Sequence, residues 1–597
     1  MIKTPLTADS DFPSYSILVD GVAIKDVYQV ISIEVEKKVN TISTAKVVLL
    51  DGDHTTEKFD ASESSDFVPG KEIEISFGYH SKNQTVFKGV IIGQRIKVKS
   101  RSIRLVSQLT LKCADEALKL TVGRKSKYFK DKKDSEIIST ILADAGLKNK
   151  TSATDNKHKK IVQYDSTDWD FILSRAEVNG FLAICNDGQL EIGKPDFSSD
   201  PVIAVKYGPD TIDFAAELDS QIQVNSVSCA SWDGAQLKKN TGTSVEPSIN
   251  KHGNISGKKL ADVLDTGVYT MQSTTPEDTA VLKSLANAKL QKLRLAKING
   301  YVSFPGHVAP VLGKLIQLKG FGERFNGDAF ISEIEHSFSG GTWITKVGFG
   351  LDAKFFSESK TLVSPPAMGV LPGIQGLQIG TVKQIDEDPD GEYRILVDVP
   401  MIEESGIGVW ARLLHEYASE EYGTFFLPEV GDETVLGFLN EDPRFPIILG
   451  SLYGKKKKPP FTPEKKNNTK AIVTKSMLKL VFDEDKKSIT VETPAGNKIA
   501  LSDDEKSISL VDQNQNQVTL SESGIVLDSP KDIKITSKGK FSVDAMEVAI
   551  TSKGDANIEG SNVSAKAKMA FLAQGSAQAA LKASGQVEVK GAMVMIN

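Results

Sequence analysis

Three cysteines, seven histidines and a few paired carboxylates are the residues of this 597-residue chain with chemistry to offer. Cys113, Cys185 and Cys229 stand far apart and none belongs to a Cys-x-x-Cys pair, so they read as buried free thiols. The histidines form no His-x-x-x-His pair and no His-Glu-x-x-His run, which argues against a metal centre built within one domain. Asp51-Gly-Asp53 presents two carboxylates to a cation, but a solvated hairpin turn accounts for it. Asp386-Glu-Asp-Pro-Asp-Gly391 imitates the start of an EF-hand loop. Its twelfth position is Val397 rather than Glu and its flanks read as strands, so a turn explains it better. Glu403/Glu404 and Glu420/Glu421 are carboxylate pairs of the kind a glycosidase uses, yet they lie in or beside expected strands without a cleft-forming domain. His307 and His336 have no nucleophile motif near them and read as hydrogen-bonded barrel histidines. No catalytic, cofactor or metal site is expected, and no cofactor.

The elements that would position such residues are mostly strands. Short apolar runs open at Ser16, Val30, Ala45, Ile73, Thr85 and Ser107, with no helix between them, the spacing of a β-barrel or sandwich. Helical periodicity follows in three places. The first is Lys133 to Gly146, with Ile137, Ile138, Ile141 and Leu142 on one face. The second begins after a cap at Ser166 and carries Trp169, Ile172, Leu173 and Ala176. The third runs from Thr279 to Lys297, with an apolar face of Val281, Leu285, Ala288, Leu293 and Ala296. Residues 355–376 hold Pro365-Pro366 and Pro372-Gly373 and read as a linker. Lys455 to Asn468 is a charged, proline-broken connector with a single aromatic, Phe461, too short for a nucleic-acid surface.

The net charge of −6 implies no general attraction to nucleic acid or membrane. No run of eighteen apolar residues exists, and the N-terminus lacks the apolar core of a signal peptide. The chain is therefore expected to begin in the cytoplasm and to leave by a route other than a cleaved signal.

Between Gly423 and Tyr453 the local pattern is β throughout. Thr424 to Leu427, Thr434 to Leu439 and Ile447 to Tyr453 read as three strands, separated by a Glu429–Asp432 turn and an Asn440–Asp442 turn. A small closed barrel would leave no open edges. This stretch resembles the OB-fold signature of the VgrG family, spike proteins of contractile injection systems related to the hub and spike of phage tails. The resemblance is carried by Leu427, Pro428, Glu429, Gly431, Asp432 and Glu433, then by Asp442, Pro443, Pro446 and Gly450. Further matches are Val68-Pro-Gly-Lys-Glu-Ile-Glu-Ile75, Asp168-Trp-Asp-Phe-Ile-Leu-Ser-Arg-Ala-Glu-Val-Asn-Gly180, and the run from Asn299 through His336 to Gly341-Thr-Trp-Ile-Thr.

From about Lys470 apolar residues recur in pairs of one parity. They run through Ile489/Val491, Ile499/Leu501, Ile508/Leu510, Val518/Leu520, Ile525/Leu527, Ile533/Ile535, Phe541/Val543, Val548/Ile550, Val587/Val589 and Val594/Ile596. Glycines such as Gly496, Gly524, Gly539 and Gly554 separate them. That pattern marks a β-solenoid of some kind, and one copy has no helix to cover its apolar face. The Ala-rich stretch 564–584 suits a narrowing needle, or a helix by propensity.

These readings give a mainly β chain: phage tail-hub β-barrels with a few helices, an OB-fold barrel, and a C-terminal trimeric β-helix or β-prism needle. The expected domains are 1–358 (hub), 359–376 (linker), 377–454 (OB-fold), 455–470 (charged linker) and 471–597 (triple-stranded spike). The family resemblance implies a homotrimeric spike that nucleates a baseplate and tube, punctures a target envelope and delivers effectors. It implies a PAAR-type tip protein on the end formed by Val594, Ile596 and Asn597. It also implies an Hcp-like inner tube and baseplate proteins at the hub, effector cargo, transient contact with a target membrane and no nucleic acid. Ile535, Val543, Ile550 and Val589 would form the needle core. The spike would travel in an injection particle, ending outside the cell or inside a target. The lysozyme domain found between barrel and spike in phage relatives has only the charged connector in its place. A peptidoglycan hydrolase spike and a trimeric adhesin or receptor-binding fibre are the alternatives.

Overall fold

The computed structural model describes all residues except 1, 7–11, 54, 102–103, 234–235, 274–275, 359–361, 363–364, 403–406 and 597. The chain divides into two units, Met1–Leu452 and Tyr453–Asn597.

Two lobes of the first unit share one thirteen-stranded sheet. One lobe sets Val30–Lys38, Thr44–Leu50, Arg104–Ala114, Lys82–Arg101, Glu72–Tyr79 and Pro13–Val19 side by side, every pair antiparallel. Period-two alternation turns Ile33, Val35, Val47, Ile73, Ile75, Phe77, Leu109 and Leu111 into a single buried core. The other lobe contains Ile298–Pro305, Thr342–Phe349 and Gly327–Ser339, around Val302, Phe304, Ile331 and Val347. Gly327–Ser339 joins the lobes by pairing antiparallel with Val30–Lys38, His336 facing Val35.

The three longer helices make their main packing contacts with the smaller two- and three-stranded sheets. In Asp134–Asp144 the Glu136 carboxylate accepts from the Lys133 N–H at 2.7 Å, closing the N-terminus, and Gly146 turns the chain away at φ +66°. Ile137, Ile138, Ile141 and Leu142 are buried as their spacing requires. Asp168–Val178 starts one residue later than Ser166 would place it. Thr167 is the cap, accepting from the Asp170 N–H at 3.0 Å. Thr279–Leu295 is also helical, and Ala288, Leu293 and Ala296 are buried as expected, while Val281 and Leu285 are only half-buried. Leu282, Ala286 and Leu290 widen the buried face, because the helix packs on Ser226–Asp233 and Lys238–Thr243 through Leu282, Leu290 and Leu293.

Strands Gln378–Gln384, Ile395–Asp398, Val409–Leu413, Pro446–Ser451 and Glu433–Phe438 close into a barrel. Its core is Val382, Ile395, Val397, Ala411, Leu436 and Ile448. The expected strand at 424–427 is absent. Those residues run irregularly, with Phe425 and Phe426 exposed and only Leu427 packed against the core. The barrel takes its strands instead from Gln378–Gln384, Ile395–Asp398 and Val409–Leu413.

In the second unit seven five-residue strands, from Thr469–Val473 to Gly524–Asp528, form an antiparallel meander. From 529 to 596 the described chain forms no strand pairing with itself. One chain thus supplies a meander and an unpaired run, and does not wind a solenoid around its own axis. The Ala-rich stretch 564–584 is not helical.

Candidate functional site

The C-terminal unit is built on register. Each strand pairs with the next residue for residue, so side chains of equal parity line up across the sheet. Leu480, Val491, Ile499, Leu510, Val518 and Leu527 form one row on a face. Phe482, Ile489, Leu501, Ile508, Leu520 and Ile525 form a second row on the same face. The other face carries Thr490, Ala500, Ser509 and Thr519. Both apolar rows stay substantially exposed in the single chain, and a groove of about 510 Å³ runs along the first as far as Ile533. A continuous apolar surface of this kind marks a protein contact.

Beyond 528 the pattern persists without the sheet. Bends fall at 530–531, 538–539, 546, 553–554, 561–562, 568–569, 576–577, 584–585 and 592–593, one every seven or eight residues. Ile535, Val543, Ile550 and Val589 sit between bends and are exposed, at 66%, 62%, 84% and 63%. Val594 and Ile596 are exposed likewise, and Asn597 lies outside the described residues. The intended needle core is therefore spread along one chain and brought together by none of its own contacts. The bend spacing went unread because the turns hold Ser, Lys and Asn as well as Gly.

The barrel signature is turn chemistry. Gly431, at φ +84°, donates to the Val382 carbonyl at 2.7 Å, and the Asp432 carboxylate accepts from the Glu429 N–H at 2.9 Å. Leu452 N–H donates to the Glu433 carbonyl, which closes the barrel seam. Asp442 is buried and accepts from the backbone and guanidinium of Arg444, which holds its carboxyl below the usual range. Pro443 follows it in the turn, Pro446 opens the last strand opposite Phe438, and Gly450 faces Val435. Pro428 precedes the Glu429 turn. All ten residues thus shape turns or strand ends, and none presents a reactive group to a cleft.

The other candidates are structural as well. Asp51 is not solvated: it is buried and accepts from the Ala61 and Ser62 N–H groups at 2.9 and 3.0 Å, stapling the 52–62 loop. Asp388 is clamped by Arg394 in the turn between two barrel strands, which lowers its carboxyl strongly. Glu420 and Glu421 sit on an exposed loop, and Glu403 and Glu404 lie outside the described residues. All three cysteines are buried free thiols. Burial pushes Cys113 and Cys185 up to about 12 and Cys229 up to about 11, so none is a ready thiolate.

The sequence did not disclose one buried cluster. The Asp134 carboxylate receives Arg175 through Nε at 2.7 Å and a terminal nitrogen at 3.0 Å, Asn179 at 2.9 Å and His158 at 3.1 Å. Burial alone would raise its pKa, but the bidentate Arg175 outweighs that and holds it low. His158 and Cys229 line the same cavity of about 250 Å³. Among the described residues no group of three or more His, Cys, Asp or Glu could hold a metal ion, and no helix is long and apolar enough to cross a membrane.

Comparison with known proteins follows this geometry. Residues 378–453, the closed barrel, match the family model of the type VI secretion system/phage-baseplate injector OB domain. The spike protein VgrG1b of Pseudomonas aeruginosa is 22% identical over 382 residues, 57% of this chain and 48% of that protein. The actin cross-linking toxin VgrG1 of Vibrio cholerae is 41% identical over 61 residues, 10% of this chain and 6% of that protein. The chain spans about half the length of the Pseudomonas relative and a small part of the Vibrio one. Among solved structures, a 43 kDa prophage tail protein from Shewanella oneidensis aligns with a TM-score of 0.45 at 9% identity, over 57% of this chain and 98% of that one. An Escherichia coli type VI secretion component aligns with a TM-score of 0.38 at 13% identity, over 73% and 99%.

The barrel and the VgrG relatives define a spike-type protein of the VgrG family. Residues 9–340, more than half the chain, match the Alg8 N-terminal domain model, and the chain belongs to that family.

Proposed function

We propose that three copies of this chain form the hub and spike of a contractile injection apparatus, with a mechanical rather than catalytic role. The observation that carries this is the run 529–596. It has no pairing of its own, a bend every seven or eight residues, and every residue from 530 onward exposed. Apolar side chains left exposed in this state are unfavourable, and extended segments without a pairing partner are open to another strand. Three chains wound about one axis would pair each strand edge with a neighbour and turn the paired apolar residues inward. The two apolar rows of the 469–528 meander would face the same axis. The domain division given by the sequence fits this scheme: hub, barrel, short charged connector and needle.

In this reading, contraction of a sheath drives a rigid tube, and the needle concentrates its force at a narrow end to cross a target envelope. Val594 and Ile596 would lie at one end of such a needle, where a PAAR-type tip protein is proposed to bind. The hub is the seat for an Hcp-like tube and for baseplate proteins, and effector cargo travels with the assembly. The test is the solution mass of the full-length chain by light scattering, beside a version lacking 471–597. Three times the 64.7 kDa chain mass, stable to dilution and weakened by the deletion, is the expected result. A full-length monomer would overturn the proposal.

A further inference from the structure

A two-stranded sheet in the first unit carries a strongly basic surface with exposed tyrosines. Strands Lys125–Lys133 and Lys157–Ser166 pair antiparallel and contain eight lysines against two aspartates, in a chain whose net charge is −6. Register divides the side chains cleanly. Phe129 faces Ile161 and Lys127 faces Gln163, with Phe129 and Gln163 buried against the helices. The opposite face pairs Tyr128 with Val162 and Lys130 with Lys160, and alternation puts Tyr164 on it too. Tyr128 and Tyr164 are 71% and 79% exposed, and Val162 is exposed beside them.

The charges on this face are unmet. Lys125 and Lys127 reach Asp168 and Asp144 at the margin, but among the described residues neither Lys130 nor Lys160 has a carboxylate partner. Concentrated like charge beside exposed tyrosines is costly to maintain without an oppositely charged partner, and tyrosine is enriched where proteins meet. Two features point to a polypeptide rather than a nucleic acid. Lys160 Nζ sits 4.5 Å from the centre of the Tyr128 ring, covering the face on which a base would stack. The sheet also has only two strands, so each has an outer edge along which an extended chain can align. The acidic run 386–392 of this chain is no candidate, because Arg394 already holds Asp388 and Asp390.

We propose that this sheet docks an extended acidic segment of another protein, its carboxylates meeting Lys130 and Lys160 and its apolar residues lying over Tyr128, Val162 and Tyr164. The test uses the full-length protein and fluorescence anisotropy. The probes are a labelled peptide of alternating Glu and Val and a single-stranded oligonucleotide of equal charge. The peptide is expected to bind at least about tenfold more tightly than the oligonucleotide. The exposed double substitution K130E/K160E is expected to weaken it by about tenfold or more, and Y164S by several-fold. Tighter oligonucleotide binding would overturn the proposal in favour of a nucleic-acid surface. Peptide affinity unchanged in both variants, or no peptide binding at about 100 μM, would overturn it outright.

Discussion

Thr345 Oγ1 lies 2.9 Å from His336 Nδ1, and the two residues face each other across the ladder joining Gly327–Ser339 to Thr342–Phe349. The same hydroxyl donates to the His307 carbonyl at 3.3 Å and accepts from the His307 N–H at 2.9 Å. A hydroxyl has one proton and two lone pairs, so His336 Nδ1 must carry its own proton and donate. Every bonding position of Thr345 is thereby used in a fully buried site.

Thr345→Val keeps the shape but strands a buried imidazole N–H and two backbone groups. Unpaired buried polar groups cost about 1–3 kcal/mol each. The variant should lose at least about 3 kcal/mol of stability in the first unit by urea denaturation, and Thr345→Ser should restore most of it. A wild-type midpoint in the valine variant would show that the network contributes nothing.

Burial lowers His336 to about 3, with Lys37 and His307 adding to it, and lowers His252 to about 4, with Lys297 adding to it. Both pKa values are depressed in the folded state, so the unfolded chain binds protons that the folded chain does not. Their stability contribution is complete above an unfolded pKa of about 6.5 and declines as pH falls toward 4 and then 3. The slope is at most about 1.4 kcal/mol per pH unit for each histidine. The melting temperature of the first unit should drop between pH 6.5 and 4, and less so in His252→Gln; equal drops would exclude His252 as a contributor.

Arg175→Ala would leave the Asp134 carboxylate buried with Asn179 and His158 alone. Removing one partner of a buried pair costs about 3–5 kcal/mol. Arg175→Lys keeps the charge but loses the two-pronged geometry and should fall between. The check is the thermal midpoint of each variant, since an alanine variant as stable as wild type would mean the aspartate is neutral.

Ile535→Asp and Val543→Asp test the proposed needle. If three copies bring these side chains to one axis, each substitution places three carboxylates together and costs several kcal/mol. Heat should then dissociate the variant assembly at lower temperature than wild type in light scattering. Unchanged dissociation would mean that these residues face solvent in the assembly.

How much of this was legible depends on the distance over which the information lies. The parity of the C-terminal pairs was readable because Val491 and Ile499, which pair, are joined by one short turn. The helix Asp134–Asp144 was readable because its stripe and Gly146 are local. Phe425 and Phe426 misled because apolar residues exposed on a loop look like a strand. The cap moved from Ser166 to Thr167 because both side chains can accept a hydrogen bond, and geometry chooses between them. Asp51 was read as solvated because the loop that covers it folds back through Ala61 and Ser62. The lysine face between 125 and 166 needed a register linking strands about thirty residues apart.

The unpaired run 529–596 has a further meaning for the life of a newly made chain. Uncovered, it offers open backbone to any passing strand, the hazard that leads to aggregates. Nine lysines, from Lys531 to Lys590, are spread along it among short apolar pairs, against the six carboxylates Asp532, Asp544, Glu547, Asp555, Glu559 and Glu588, which leaves the run net positive. Like charges at such intervals keep strangers apart and break up the uninterrupted apolar windows that seed fibrils. The same lysines would have to be brought alongside one another when copies assemble. Salt should therefore hasten that step, while dilute buffer should preserve a soluble, unfinished chain for longer.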